Sequence, residues 1–141
     1  MGGSYASKKH LNFIPRIAES QYLVGGFKIH AMMDLSDGLA SDIYRLTEAG
    51  GVGAVLSKEA IPVSGSATHV NQALEDGEDF EILFTLSPKE AARLSLSQPS
   101  RRLQPFHPIG KIIPKRYGVL LAEANQPCRA LPEKGFDHFS V

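Results

Sequence analysis

The 141-residue chain carries 15 basic and 15 acidic side chains and a formal net charge of zero. That balance argues against a nucleic-acid binder, which normally shows a basic excess, and the length suffices for one domain with a hydrophobic core. No apolar run is long enough to span a bilayer, so the composition excludes a membrane-spanning helix.

Taken in chain order, residues 1–28 show little periodicity and are punctuated by Gly2, Gly3, Ser4, Pro15, Gly25 and Gly26. They read as an interdomain connector with a short helix over 17–24. The N-terminus lacks the apolar core of a signal peptide, and the expected location is the cytoplasm. Lys8, Lys9 and His10, like Arg101 and Arg102 further on, read as solvated loop charges.

Residues 29–33 form a short apolar run with one histidine, His30, as expected of a buried strand. Asp34-Leu35-Ser36-Asp37-Gly38 follows, and then a helical pattern. Leu39, Ile43 and Leu46 share one face of that helix, with Asp42, Arg45 and Glu48 read as lying off it. Gly50 and Gly51 end it. The acidic motif thus falls at a strand-to-helix junction, where α/β folds place functional groups.

Residues 52–56 read as the next strand, and 69–74 as helical. Residues 80–86 give the strongest strand signal. Ser87-Pro88 reads as an N-cap followed by proline in the first helical turn, the helix running to about 96. A Pro- and Arg-containing loop covers 99–108, and closing strands are expected over 109–113, 117–122 and 128–131. The single cysteine, Cys128, is read as a packing residue, and one thiol with no internal partner suits a reducing compartment. The order of elements predicts an α/β (α+β) domain with a mixed β-sheet flanked by helices.

Two acidic clusters carry the chemistry. Asp34, Ser36 and Asp37 offer oxygen-only ligands of the kind Mg²⁺ takes together with phosphates, and a helix N-terminus beside them favours anions. The competing reading is that Ser36 or Asp37 caps the helix while Gly38 relaxes the turn. An EF-hand is excluded because its twelfth position falls on Arg45. The second cluster, Glu75-Asp76-Gly77-Glu78-Asp79-Phe80-Glu81, runs into the strong strand. Alternation there sends Phe80, Ile82 and Phe84 to one face and Glu81 and Leu83 to the other. It reads either as a cation-binding turn or as a solvated acidic one. Neither a GxxxxGK[ST] loop nor a GxGxxG loop is present, and the five histidines lack zinc spacing.

Together the segments resemble the thiamine-monophosphate kinase family. Met33-Asp34-Leu35-Ser36-Asp37-Gly38-Leu39-Ala40 looks like its D-[IL]-S-D-G-L motif, and Gly77-Glu78-Asp79-Phe80-Glu81-Ile82-Leu83-Phe84 like its G-E-D-[YF]-E-L-L-F strand. Ile109-Gly110-Lys111-Ile112 is similar to its I-G-x-[IV] strand, and Gly135-Phe136-Asp137-His138-Phe139 to its C-terminal G-[YF]-D-H-F. Four motifs in order over residues 30–139 cover most of the chain. The resemblance implies ATP-dependent phosphorylation of thiamine monophosphate to thiamine diphosphate. It implies that Asp34 and Asp37 bind Mg²⁺, that Ser36 contacts ATP, that Glu78 binds the thiamine phosphate and that Phe136 contacts its rings. It assigns no catalytic acid or base. A thiazolium cation beside a carboxylate and an aromatic face would gain roughly 0.5–2 kcal/mol from the latter.

Asp76 stands where the family usually has the first glycine of a small-Gly-Gly stretch before Glu-Asp, adding a charge to the substrate loop. Met1-Gly2-Gly3-Ser4 is similar to the L-G-G-S that joins the family's two halves. Residues 29–141 are accordingly expected to be the C-terminal domain. An N-terminal half would supply further Mg²⁺ ligands, ATP contacts and a homodimer interface, and the chain alone would be inactive. Neither nucleic acid nor membrane is an expected partner. The alternatives are another ATP-dependent synthetase of the same superfamily, or a non-catalytic binding module.

Overall fold

The structure is a computed structural model that describes residues 14–63, 74, 80–97 and 103–133. In chain order the elements are α1 (Ile17–Gly26), β1 (Ile29–Leu35), α2 (Leu39–Gly50), β2 (Val52–Ser57), β3 (Glu81–Leu86), α3 (Pro88–Leu96), β4 (Gly110–Pro114), β5 (Val119–Ala122) and β6 (Arg129–Ala130). Single 3₁₀ turns at Lys58–Ala60 and Lys115–Tyr117 follow β2 and β4. The α+β class expected from the order of elements is what the chain adopts.

The strands form two sheets. A two-stranded antiparallel ribbon joins β1 to β3, and a four-stranded mixed sheet has the order β4-β2-β5-β6. Within it β2 runs parallel to β5 and antiparallel to β4. The β2–β4 pair approaches closely at Gly110, where an added Cβ would lie 2.3 Å from the Val55 carbonyl oxygen. The glycine of the Ile109-Gly110-Lys111-Ile112 motif is therefore a packing requirement.

Helix α2 lies between ribbon and sheet. Leu39, Ala40, Ile43 and Leu46 bury into one cluster with Leu35, Leu83, Ala54, Leu56 and Leu121. Each fully buried leucine of this kind stabilises the fold by about 1.5–3 kcal/mol. Tyr44 extends the contact by donating its hydroxyl to the Leu131 carbonyl at 2.5 Å. Helix α2 ends on Gly51 at φ 63, a left-handed C-cap.

Helix α1 runs through Gly25 and Gly26, two residues beyond the expected end. It buries Leu23, accepts the Gln104 N–H on Glu19 at 3.0 Å, and stacks Tyr22 on Phe106. Helix α3 begins as expected, with Ser87 accepting the Glu90 N–H at 3.2 Å. Its Glu90 and Arg93 reach back to the Lys28 N–H and the Gly26 carbonyl, tying α3 to the end of α1. Of the helix expected over 69–74, only Leu74, helical and buried, lies within the described residues.

Two readings are corrected. Cys128 is exposed, because β6 is only two residues long and the turn before it lies at the surface. Asp42 is wholly buried and does not lie off the apolar face of α2.

Candidate functional site

Strand β1 extends to Leu35, so Asp34 sits on the strand and not in the loop. Alternation along β1 turns Leu35 into the core and leaves Asp34 exposed, on the side of His30 and Met32. Ser36 and Asp37 occupy the connection to α2 and are half-buried.

Gly38 is the N-cap of α2, at φ 101 and ψ 151, and no side chain caps the helix. A backbone of this kind is essentially confined to glycine. The capping alternative for Ser36 and Asp37 is thereby removed: neither spends its oxygen on the helix end.

The loop is held from the opposite direction. Asp42, in the first turn of α2, accepts the Ser36 N–H at 2.9 Å and the Asp37 N–H at 3.1 Å on Oδ2. Its Oδ1 accepts from Arg45 at 2.6 Å. The other arm of the Arg45 guanidinium pairs with the Asp37 carboxylate. Hydrogen bonding to Asp37 raises the Arg45 pKa further above its ordinary value, so the guanidinium stays charged. Asp42 is thus a buried charge that is paired and hydrogen-bonded on both oxygens, the condition under which burial of a carboxylate is tolerated.

The ribbon brings the first acidic motif against the start of β3. Asp34 pairs with Ile82 and Leu35 with Glu81, and the Phe80 N–H donates to the Leu35 carbonyl at 2.9 Å. Phe80 and Glu81 therefore lie against Leu35, the residue that separates Asp34 from Ser36. Phe80 turns into β3 at φ 50, an uncommon conformation for an aromatic residue. Glu81 is gripped by Arg16, which donates from Nε at 2.8 Å and from NH2 at 2.9 Å. That forked bond raises the Arg16 pKa, with partial burial opposing it. An open pocket of about 340 Å³ lies along this edge, lined among others by Arg16, Ile17, Met32, Asp34, Phe80 and Ile82.

The structure gathers Asp34, Ser36 and Asp37 within one strand-to-helix junction. Glu78 and Phe136 lie outside the described residues. Among the described residues no group of three or more His, Cys, Asp or Glu converges as a metal cage. Sequence reasoning missed Asp42, Arg45 and the Arg16–Glu81 pair. For Asp42 a signal existed: it lies three residues after Leu39 and four before Leu46, a slot of the buried stripe.

Comparison with known proteins gives a consistent set of likenesses. The family described as "AIR synthase related protein, C-terminal domain" matches residues 4–122. A thiamine-monophosphate kinase of Buchnera aphidicola subsp. Acyrthosiphon pisum is 38% identical over 144 residues, covering 96% of this chain and 43% of the relative. The enzyme of the same name from Escherichia coli K12 is 32% identical over 144 residues, covering 97% and 43%. A solved structure described as AaThiL complexed with AMPPCP and TMP superposes with a TM-score of 0.67 at 24% identity, covering 94% of this chain and 40% of the other. At that identity the likeness establishes the fold. The chain spans 43% of the length of each of these two relatives.

Proposed function

This chain belongs to the AIR synthase related protein C-terminal domain family, and from that premise we propose that it is one half of a kinase that moves the γ-phosphoryl group of ATP onto thiamine monophosphate. The observation that carries the reading is the β1–β3 pairing. It sets the Asp34-to-Gly38 motif beside Phe80 and Glu81, where β3 begins, although the two stretches are distant in sequence. The curated relatives that share this stretch bear the name thiamine-monophosphate kinase.

In this reading Asp34 and Asp37 hold Mg²⁺, Ser36 touches ATP, Glu78 takes the thiamine phosphate and Phe136 lies against the thiamine rings. The donor set fits the ion. Mg²⁺ usually takes one or two carboxylates and completes its shell with water and substrate phosphates, and Asp34 and Asp37 supply two carboxylates. When bound, the metal supplies charge neutralisation between phosphate groups.

The chain's own residues do the rest by positioning. Gly38 leaves the first turn of α2 without a side-chain cap, so its end can face an anion. Asp42 holds the backbone of Ser36 and Asp37 in a fixed register. No acid or base is assigned, because phosphoryl transfer depends mainly on placement and electrostatics. The remaining ligands, and a homodimer interface, would come from the N-terminal half that the resemblance implies. The cytoplasm, where ATP is made and used, is the proposed setting, with neither nucleic acid nor membrane as a partner.

The test is a chimera. Fused behind the N-terminal segment of the Escherichia coli relative, the chain is expected to form thiamine diphosphate from ATP, Mg²⁺ and thiamine monophosphate. Asp37→Ala in the chimera should lower the rate by about a hundredfold or more. A folded chimera that is silent with thiamine monophosphate, yet turns over aminoimidazole precursors or selenide, would move the assignment to another synthetase. An unchanged rate in Asp37→Ala would remove the metal role.

A further inference from the structure

We propose that Asp42 and Arg45 form a latch on the acidic loop: Asp42 fixes the loop backbone, and Arg45 occupies Asp37 as a stand-in cation that an incoming divalent metal has to displace. The inference rests on the reading of Asp37 as a metal ligand. Asp42 is fully buried and uses one oxygen for two loop amides and the other for Arg45. Arg45 spans the gap, one arm on Asp42 and the other on Asp37.

The two carboxylates differ in what they can give up. The Asp42 side chain has no exposed surface, whereas that of Asp37 is 23% exposed and that of Arg45 is 51% exposed. Arg45 can therefore leave Asp37 for solvent by rotating about its own side chain, while Asp42 stays with the loop amides. The motion frees one carboxylate and leaves the loop in register. Two consequences follow. Asp42 holds the loop through contacts within the chain, which lowers the ordering cost that metal binding would carry. And the Arg45–Asp37 pair works against cation binding by as much as a half-exposed ion pair stabilises itself.

The test uses the full chain and Mn²⁺ alone, followed by paramagnetic broadening of the backbone amide signals of residues 34–38. Arg45→Gln should reach half-broadening at about two- to fivefold lower Mn²⁺ than the unaltered chain. Asp37→Asn should weaken the broadening, and Arg45→Gln added to Asp37→Asn should gain nothing. Equal or weaker binding in Arg45→Gln overturns the latch. So does the same gain in the Asp37→Asn background, since the effect would then be general charge and not the contact. If Asp37→Asn alone leaves the broadening unchanged, the metal role of Asp37 fails and the latch falls with it.

Amide exchange tests the clamp without metal. Asp42→Ala should speed exchange at Ser36 and Asp37 by about tenfold or more, while Asp42→Asn, which keeps an acceptor, should stay near the unaltered rate. Unchanged exchange in Asp42→Ala overturns the role of Asp42.

Discussion

Gly38 turns the chain from the acidic loop into α2 at φ 101 and ψ 151, where any Cβ is strained. Gly38→Ala should therefore cost about 1–3 kcal/mol, read as a lower urea midpoint, and should loosen the loop that Asp42 holds. A midpoint within experimental error of the unaltered chain would mean that the turn relaxes without cost. The Asp34-Leu35-Ser36-Asp37-Gly38 pattern was legible in the sequence as a junction motif. What held it was not, for a physical reason. Helical periodicity counts apolar residues, and Asp42 occupies a buried slot with a charged group that only a specific set of donors makes tolerable. Those donors are loop amides, which no side-chain pattern reveals. Arg45 was read correctly as lying off the apolar face, but its partners lie in three dimensions on both sides of the turn.

At the scale of elements, Gly110 and Gly25 make a contrast. A Cβ at Gly110 would meet backbone atoms of Val55 and Leu56 at 2.3 and 3.1 Å, so Gly110→Ala must push β4 away from β2. The expected loss is about 1–3 kcal/mol, measured by thermal or urea unfolding. Gly25 lies inside α1 with open space around it. There Gly25→Ala should stabilise by about 0.5–1 kcal/mol. If both substitutions moved stability the same way, the close β2–β4 approach would not be the reason for Gly110.

Helix α3 was legible at both ends, since Ser87 and Pro88 act locally. Helix α1 outran its expected end because two glycines at an exposed helix terminus lower propensity without forbidding the turn. Strand positions could be read, but partners could not. The strand closest in sequence to β1 is β2, yet β1 pairs with β3 and β2 pairs with β4 and β5. Alternation within a strand names the buried face and is silent on its neighbour.

Across the whole molecule, Glu90 links α3 to the start of β1 by accepting the Lys28 N–H, and it pairs with Arg93. The Lys28 amide, and then Arg93, hold the Glu90 carboxyl below its ordinary pKa of 4.5. A depressed carboxylate contributes stability that is present above its unfolded pKa and is lost as pH falls through the folded one. Acid should therefore erode this tie below about pH 4.5, and Glu90→Gln should flatten that limb of the stability–pH curve while changing its slope little near neutrality. An acid limb identical in the variant would place the acid sensitivity elsewhere.

The placement of β2 between β4 and β5 has a consequence for how the chain acquires its structure. Val52–Ser57 cannot find either neighbour until residues 110–122 have been made. During synthesis an apolar strand with both edges bare would wait through more than fifty residues of polymerisation. Long loops must close before the sheet rewards them, so assembly should be slow for a chain of this size. The central strand is then the segment most exposed to wrong partners at the ribosome. Chaperone demand in the cell should follow the delay before β4 and β5 emerge more closely than the final stability of the fold.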